Sequence, residues 1–146
     1  MTRAMRNGGV GRFKVEIDVA NNDDLAAVRR GALDPKHVRR VRVPGIVDSG
    51  AARFVLPATV VKELGLPVTG NVKVRYADHR TATRPRAEEA FVEILGRHAV
   101  FNAVVEPKRD SALIGAIVLE ALDLLVDCTN ERLVPRDPRF EIVELE

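Results

Sequence analysis

The chain has 146 residues, long enough for one domain with a real core, and its 46% hydrophobic and 30% charged residues match ordinary globular usage, which excludes wholesale disorder. Cys128 is the only cysteine, so an internal disulfide and a thiol cluster for zinc are both excluded, and the net charge is only +2. No apolar run approaches the roughly 18 residues of a spanning helix, and no apolar segment backs the basic start, so a cytoplasmic protein with no membrane partner is expected.

Residues 1–12 read as a flexible, glycine-rich lead-in and 13–146 as a single domain. Phe13, Val15, Ile17 and Val19 alternate with Lys14, Glu16 and Asp18, the period of a strand with one buried face. Asn21-Asn22-Asp23-Asp24 breaks that pattern, and Gly31 and Pro35 mark turns. Basic residues crowd 28–42 and could hint at an anionic partner, but no aromatic side chains interleave to stack bases. They read as a solvated loop and strand edge, with no nucleic-acid partner. Val38, Val41 and Val43 suggest extended chain up to Pro44-Gly45, and Ile46-Val47 a short buried strand.

Phe54-Val55-Leu56 reads as the next strand, and Pro57 opens a short helix over 58–64 with Gly65 just past its end. Val72, Val74 and Tyr76 alternate again, a polar tip follows at Ala77-Asp78-His79-Arg80, and further strands are predicted over 90–95 and 99–105. Glu88 and Glu89 are adjacent on extended chain, so they point to opposite faces toward solvent and do not make a carboxylate pair. Leu113-Ile114-Gly115 leads into a short helix over 116–122; a hairpin pairs 124–126 with Leu133-Val134, and 140–145 closes the chain as an extended segment. The expected class is mainly β with two short helices, a small closed or semi-closed β-barrel.

The stretch Gly45-Ile46-Val47-Asp48-Ser49-Gly50-Ala51 ends a buried strand on a carboxylate. Such a group must be neutralised, hydrogen-bonded, or kept for a purpose that offsets its desolvation. Gly50 can turn its N–H to the carboxylate, and the Ser49 hydroxyl can donate to a carbonyl and brace the loop. An Asx-type turn that only satisfies local N–H groups is the structural alternative. His37, His79 and His98 are far apart and lack ligand spacing, so no metal is expected.

Two marks together resemble the retropepsin-like aspartic proteases, and Leu64-Gly65-Leu66 with the run Val126-Asp127 to Leu133-Val134-Pro135 resembles their prokaryotic members. One is Ile46-Val47-Asp48-Ser49-Gly50-Ala51 with the trailing Phe54-Val55-Leu56-Pro57; the other is Ala112-Leu113-Ile114-Gly115 with Leu119-Glu120 and Leu124-Leu125-Val126-Asp127. The likeness covers 13–138. It implies a retropepsin-type barrel, Asp48 as catalytic carboxylate with Ser49 and Gly50 as its supports, and Ala51 beside the substrate. A hairpin flap over 73–86 would place Ala77, Asp78 and His79 against the substrate. Two departures stand out: Ser49 replaces the commoner threonine, and His79 occupies a flap position where glycine is usual.

Peptide hydrolysis by carboxylates needs one ionised group and one protonated group. No other Asp-Ser/Thr-Gly occurs in the chain, so one copy supplies half of a site and a homodimer the whole, with no metal or organic cofactor. The implied function is an aspartic endopeptidase acting on peptide or protein substrates. The alternatives are a catalytically silent dimerisation or peptide-binding module on the same barrel, and a nucleic-acid-associated barrel using the basic cluster.

Overall fold

A computed structural model describes residues 12–146. The segment expected to be flexible, apart from Arg12, lies outside the described residues. The first strand, β1 (Phe13–Asn21), buries Phe13, Ile17 and Val19 and leaves Lys14, Glu16 and Asp18 exposed, as its alternation requires. It pairs antiparallel along β2 (Arg40–Val47), from Phe13 opposite Val47 to Ala20 opposite Arg40.

Between them runs α1 (Asn22–Arg29), where the asparagine-aspartate run suggests only a break. The run is instead a helix start. The Asn21 side chain accepts from the Asp24 N–H at 3.0 Å, and Asp23 and Asp24 sit in the first turn, where negative charge complements the free N–H groups. Pro44-Gly45 likewise fails to interrupt β2. The neighbouring strand β7 (Ala112–Ile114) joins β2 only from Gly45 onward, so Pro44 lies where just one flank is paired. Gly45 leaves space for the Ile114 side chain of β7, whose Cδ1 would stand 2.6 Å from a Cβ there.

β3 (Phe54–Pro57) lies antiparallel to β7 and parallel to β6 (Arg97–Glu106), and α2 (Ala58–Leu64) follows it. β4 (Val68–Arg75) and β5 (Thr81–Ile94) form a long hairpin. β5 changes partner along its length: Thr81 to Ala87 pairs with β4, and Ala90 to Glu93 with β1. The bend between them is a bulge at Glu88-Glu89, with Glu89 at φ 65°. Both glutamates are half-buried at this bend and engaged, Glu88 by Thr69 Oγ1 at 2.9 Å and Glu89 by Asn22 Nδ2 at 3.2 Å.

The β1–β5 pairing closes β1, β2, β7, β3, β6 and β5 into a six-stranded barrel, with β4 hanging from β5 outside the ring. This is the mainly β, closed-barrel class expected. One core cluster fills it, with Ile17, Val47, Phe54, Leu56, Val92, Ile114, Val118 and Leu122 almost wholly buried. α3 (Ala116–Ala121) follows β7, and β8 (Leu124–Asp127) and β9 (Arg132–Pro135) form the expected separate hairpin. Residues 140–145 are not a strand; they have no partner strand, and Arg97 holds their start by donating to the carbonyls of Leu122, Asp123, Asp137 and Phe140.

Candidate active site

β2 delivers Val47 into the core and then ends, so Asp48 emerges at the mouth of the barrel. Its backbone is fixed first: Asp48 N–H donates to the Ile114 carbonyl at 3.1 Å, and Ala51 N–H to the Asp48 carbonyl at 3.0 Å. The carboxylate is fixed next. Oδ1 accepts from Gly50 N–H at 3.0 Å, which is the glycine contact the sequence suggests. Oδ2 accepts from Arg12, with Nη2 at 2.9 Å and Nε at 3.1 Å.

The loop 48–53 is held from beneath by the start of α3. Ala116 N–H donates to the Ala51 carbonyl at 2.8 Å and Ile117 N–H to the Ala52 carbonyl at 3.0 Å. That leaves no room for a side chain at Gly115, where a Cβ would stand 2.4 Å from the Arg53 carbonyl oxygen and 2.7 Å from that of Ala51. The two motifs seen in the sequence are therefore one structure, the second serving as the bed on which the first lies. Ser49 does not brace this loop. It is exposed, and its hydroxyl makes no hydrogen bond among the described residues.

The β4–β5 hairpin ends in a tight tip. Tyr76 N–H donates to the Arg80 carbonyl at 2.8 Å and His79 N–H to the Tyr76 carbonyl at 2.9 Å. His79 has φ 68°, the left-handed conformation that closes a three-residue hairpin loop, which gives a physical reason for glycine at such a position. Asp78 is clamped by Arg80, whose Nε lies 2.6 Å from Oδ2, and this contact holds the carboxyl below its ordinary range. Ala77 contributes neither N–H nor carbonyl to these bonds among the described residues. No hydrogen bond or ion pair joins the tip to Asp48 among the described residues, so the sequence-predicted residues stand in two groups: Asp48, Ser49, Gly50 and Ala51 on one loop, and Ala77, Asp78 and His79 on the other.

Below the tip, Tyr76 Oη donates to Glu106 Oε2 at 2.6 Å, while Arg84 Nε donates to Glu106 Oε1 at 2.7 Å. The Glu106 bond pushes the Tyr76 phenol up and, with Arg84, ties the hairpin to the end of β6. Neither this triad nor Arg12 is evident from the sequence. Register places Arg12: Phe13 faces Val47, so the next step outward sets Arg12 beside Asp48.

In the basic cluster, Arg39 makes a forked pair with Asp24, Nε to Oδ2 at 2.8 Å and Nη2 to Oδ1 at 2.9 Å. Arg42 lies 4.0 Å from Asp18. Among the described residues no group of three or more His, Cys, Asp or Glu is placed to hold a metal ion, and no helix is long and apolar enough to cross a membrane.

The barrel resembles a solved protease structure. The EIAV protease, a retroviral protease complexed with the inhibitor HBY-793, superposes with a TM-score of 0.51 at 14% identity, over 76% of this chain and 88% of that one. At that identity the likeness speaks for the fold alone. No curated protein matches the chain. A model of the aspartyl protease family matches residues 36–118, more than half of the chain, including the Asp48 loop, the hairpin and Gly115. The chain belongs to the aspartyl protease family and has the retropepsin-like fold.

Proposed function

We propose that the chain is an aspartic endopeptidase that works as a homodimer, each protomer contributing one Asp48. The observation that carries this reading is the Asp48 carboxylate held at the barrel mouth by Gly50, on a loop seated against Gly115. The chemistry calls for two carboxylates, and one chain has one such loop. Across a twofold axis two Asp48 side chains would share a proton, since like charges in contact cannot both ionise readily. The ionised one takes a proton from water as the water oxygen bonds to the peptide carbon, and the protonated one donates to the carbonyl oxygen; the tetrahedral intermediate then collapses, one carboxyl giving its proton to the nitrogen as the C–N bond breaks and the other carboxylate taking a proton from a hydroxyl. Aspartic proteases work by this division of labour.

Surface apolar side chains support an association. Phe140, Val143 and Leu145 are 66%, 74% and 86% exposed, and Leu125 is 48% exposed. A segment with that much uncovered apolar surface is suited to burial against a second copy. Ser49, exposed beside Asp48, would stand where the two loops meet. The hairpin over 73–86 would act as the flap, with Ala77 free to pair with an extended peptide, Asp78 and His79 shaping the tip, and Ala51 beside the substrate chain.

One observation favours the silent-module reading: Arg12 occupies the Asp48 oxygen that a second carboxylate or a water would need. The test is to incubate wild type and Asp48→Asn with a diverse peptide library between about pH 4 and 7. Cleavage by wild type alone supports the endopeptidase. Cleavage by neither, at concentrations where the dimer is demonstrated, leaves the silent module.

A further inference from the structure

Beside the hairpin lies a cavity of about 310 Å³ that no part of the hydrolytic chemistry uses, lined by Tyr76, Arg80, Arg84, Glu106, Lys108 and Arg109. We propose that it binds an acidic side chain of the peptide substrate and gives this protein a preference for aspartate or glutamate near the cleaved bond. The proposal rests on the endopeptidase reading and names its substrate class.

Charge in the cavity is unbalanced in a specific way. Arg84 is neutralised by Glu106, which also takes the Tyr76 hydroxyl, so that carboxylate is fully occupied within the wall. Arg80 is paired with Asp78 and lies over the Tyr76 ring, 5.2 Å from its centroid. The other two cations have no acidic partner among the described residues. Arg109 is aimed by oxygens instead, its Nε donating to the Ser111 carbonyl at 2.9 Å and its Nη2 to Ser111 Oγ at 3.3 Å and to the Ala112 carbonyl at 3.5 Å. Lys108 is exposed and makes no ion pair, and the neighbouring Asp110 engages neither of them among the described residues. A guanidinium fixed in orientation but not neutralised is suited to the planar fork of a carboxylate.

Position along the barrel links the cavity to the cleft. On β7 the Ile114 carbonyl holds the backbone of Asp48, and the Ala112 carbonyl, two residues earlier, helps hold Arg109. Two residues of strand span about 7 Å. An extended substrate advances about 3.4 Å per residue, so the same span sets the acidic side chain about two residues from the scissile bond.

The experiment uses matched fluorogenic peptides carrying Glu or Gln at each of the positions flanking the cleaved bond. Wild type should show kcat/KM about tenfold higher for Glu at one position, the scale of a charge-assisted contact, and the ratio should shrink as salt rises. In Lys108→Ala, and further in Lys108→Ala/Arg109→Gln, the ratio should fall toward one; the first variant changes only an exposed side chain and keeps the test sound if the second folds poorly. Equal rates for Glu and Gln at every position would overturn the pocket while leaving the endopeptidase standing. Failure to cleave any peptide would overturn the endopeptidase instead. Fluorescence anisotropy with the same peptides and Asp48→Asn then decides the pocket alone, about tenfold tighter binding of a Glu peptide supporting it and equal binding refuting it.

Discussion

Arg12 and Asp48 face each other across the open ends of β1 and β2, with the guanidinium Nη2 2.9 Å from Oδ2 of the carboxylate. Arg12 is 58% exposed while the Asp48 side chain is 14% exposed, so the pair joins a solvated cation to a largely covered anion. A surface pair of this kind contributes at most about 1 kcal/mol to folding. Its consequence for chemistry is larger than its consequence for stability. A guanidinium on Oδ2 competes for the oxygen that the proposed second carboxylate and its water need. Arg12→Ala is expected to raise kcat/KM by about threefold to tenfold, with little change in Tm. A loss of activity would instead make Arg12 a positioning residue for the carboxylate.

Gly115 tests the seating of the Asp48 loop. The nearest atoms to an added Cβ are backbone, at 2.4, 2.7 and 2.9 Å, so they yield only by moving residues 51–53. Gly115→Ala should destabilise by about 2–3 kcal/mol in urea denaturation and abolish cleavage. Gly31→Ala is the control, because nothing lies within 4 Å of its Cβ and only the left-handed backbone at φ 75° is penalised, by about 1 kcal/mol. Similar losses for the two would refute the seating argument.

Asn21 joins three elements through one buried side chain: it caps α1, and its Nδ2 donates to the Leu64 carbonyl at 2.8 Å. Asn21→Ala removes the cap and strands a buried carbonyl, and a loss of about 2–4 kcal/mol is expected by chemical denaturation. A loss under about 0.5 kcal/mol, typical of a surface change, would contradict this.

Asp24 gives folding a pH dependence of known sign. Its bond to Arg39 lowers its carboxyl from the ordinary value of 3.8, although burial opposes that shift. A folded-state value below the unfolded one means the contribution is complete above the unfolded value and disappears as pH falls through the folded one. Stability should therefore drop below about pH 4, and Asp24→Asn should flatten that acid limb while lowering stability at neutral pH. An unchanged acid limb in Asp24→Asn would show that other carboxyls govern it.

Much of the barrel is legible in the sequence because its strands alternate cleanly and its marks are local. β1, the alternation of Val72 and Val74 in β4, the helix after Pro57 and the hairpin after Leu124 follow from period and punctuation, whereas β5 begins at Thr81, well before the 90–95 that period marks. The helix at Asn22–Arg29 is hidden because the residues that cap a helix are also those that break a strand. Pro44 misleads for a different reason, since its tolerance depends on where β7 stops. Asp48, Gly50 and Gly115 are readable in their motifs. Arg12, Glu106 and Arg97 are not, because each acts on residues brought near by register or topology, which no short window contains.

The central claim, that two protomers each lend one Asp48 to a single site, is tested most directly by mixing subunits. Wild type held at fixed concentration should be exchanged with a tenfold excess of Asp48→Asn and assayed on a peptide it cleaves. Random pairing places nearly every wild-type chain in a dimer with one carboxylate, so activity should fall to about a tenth. Undiminished cleavage, with exchange verified by labelled subunits, would mean that each chain completes its own site and would contradict the account.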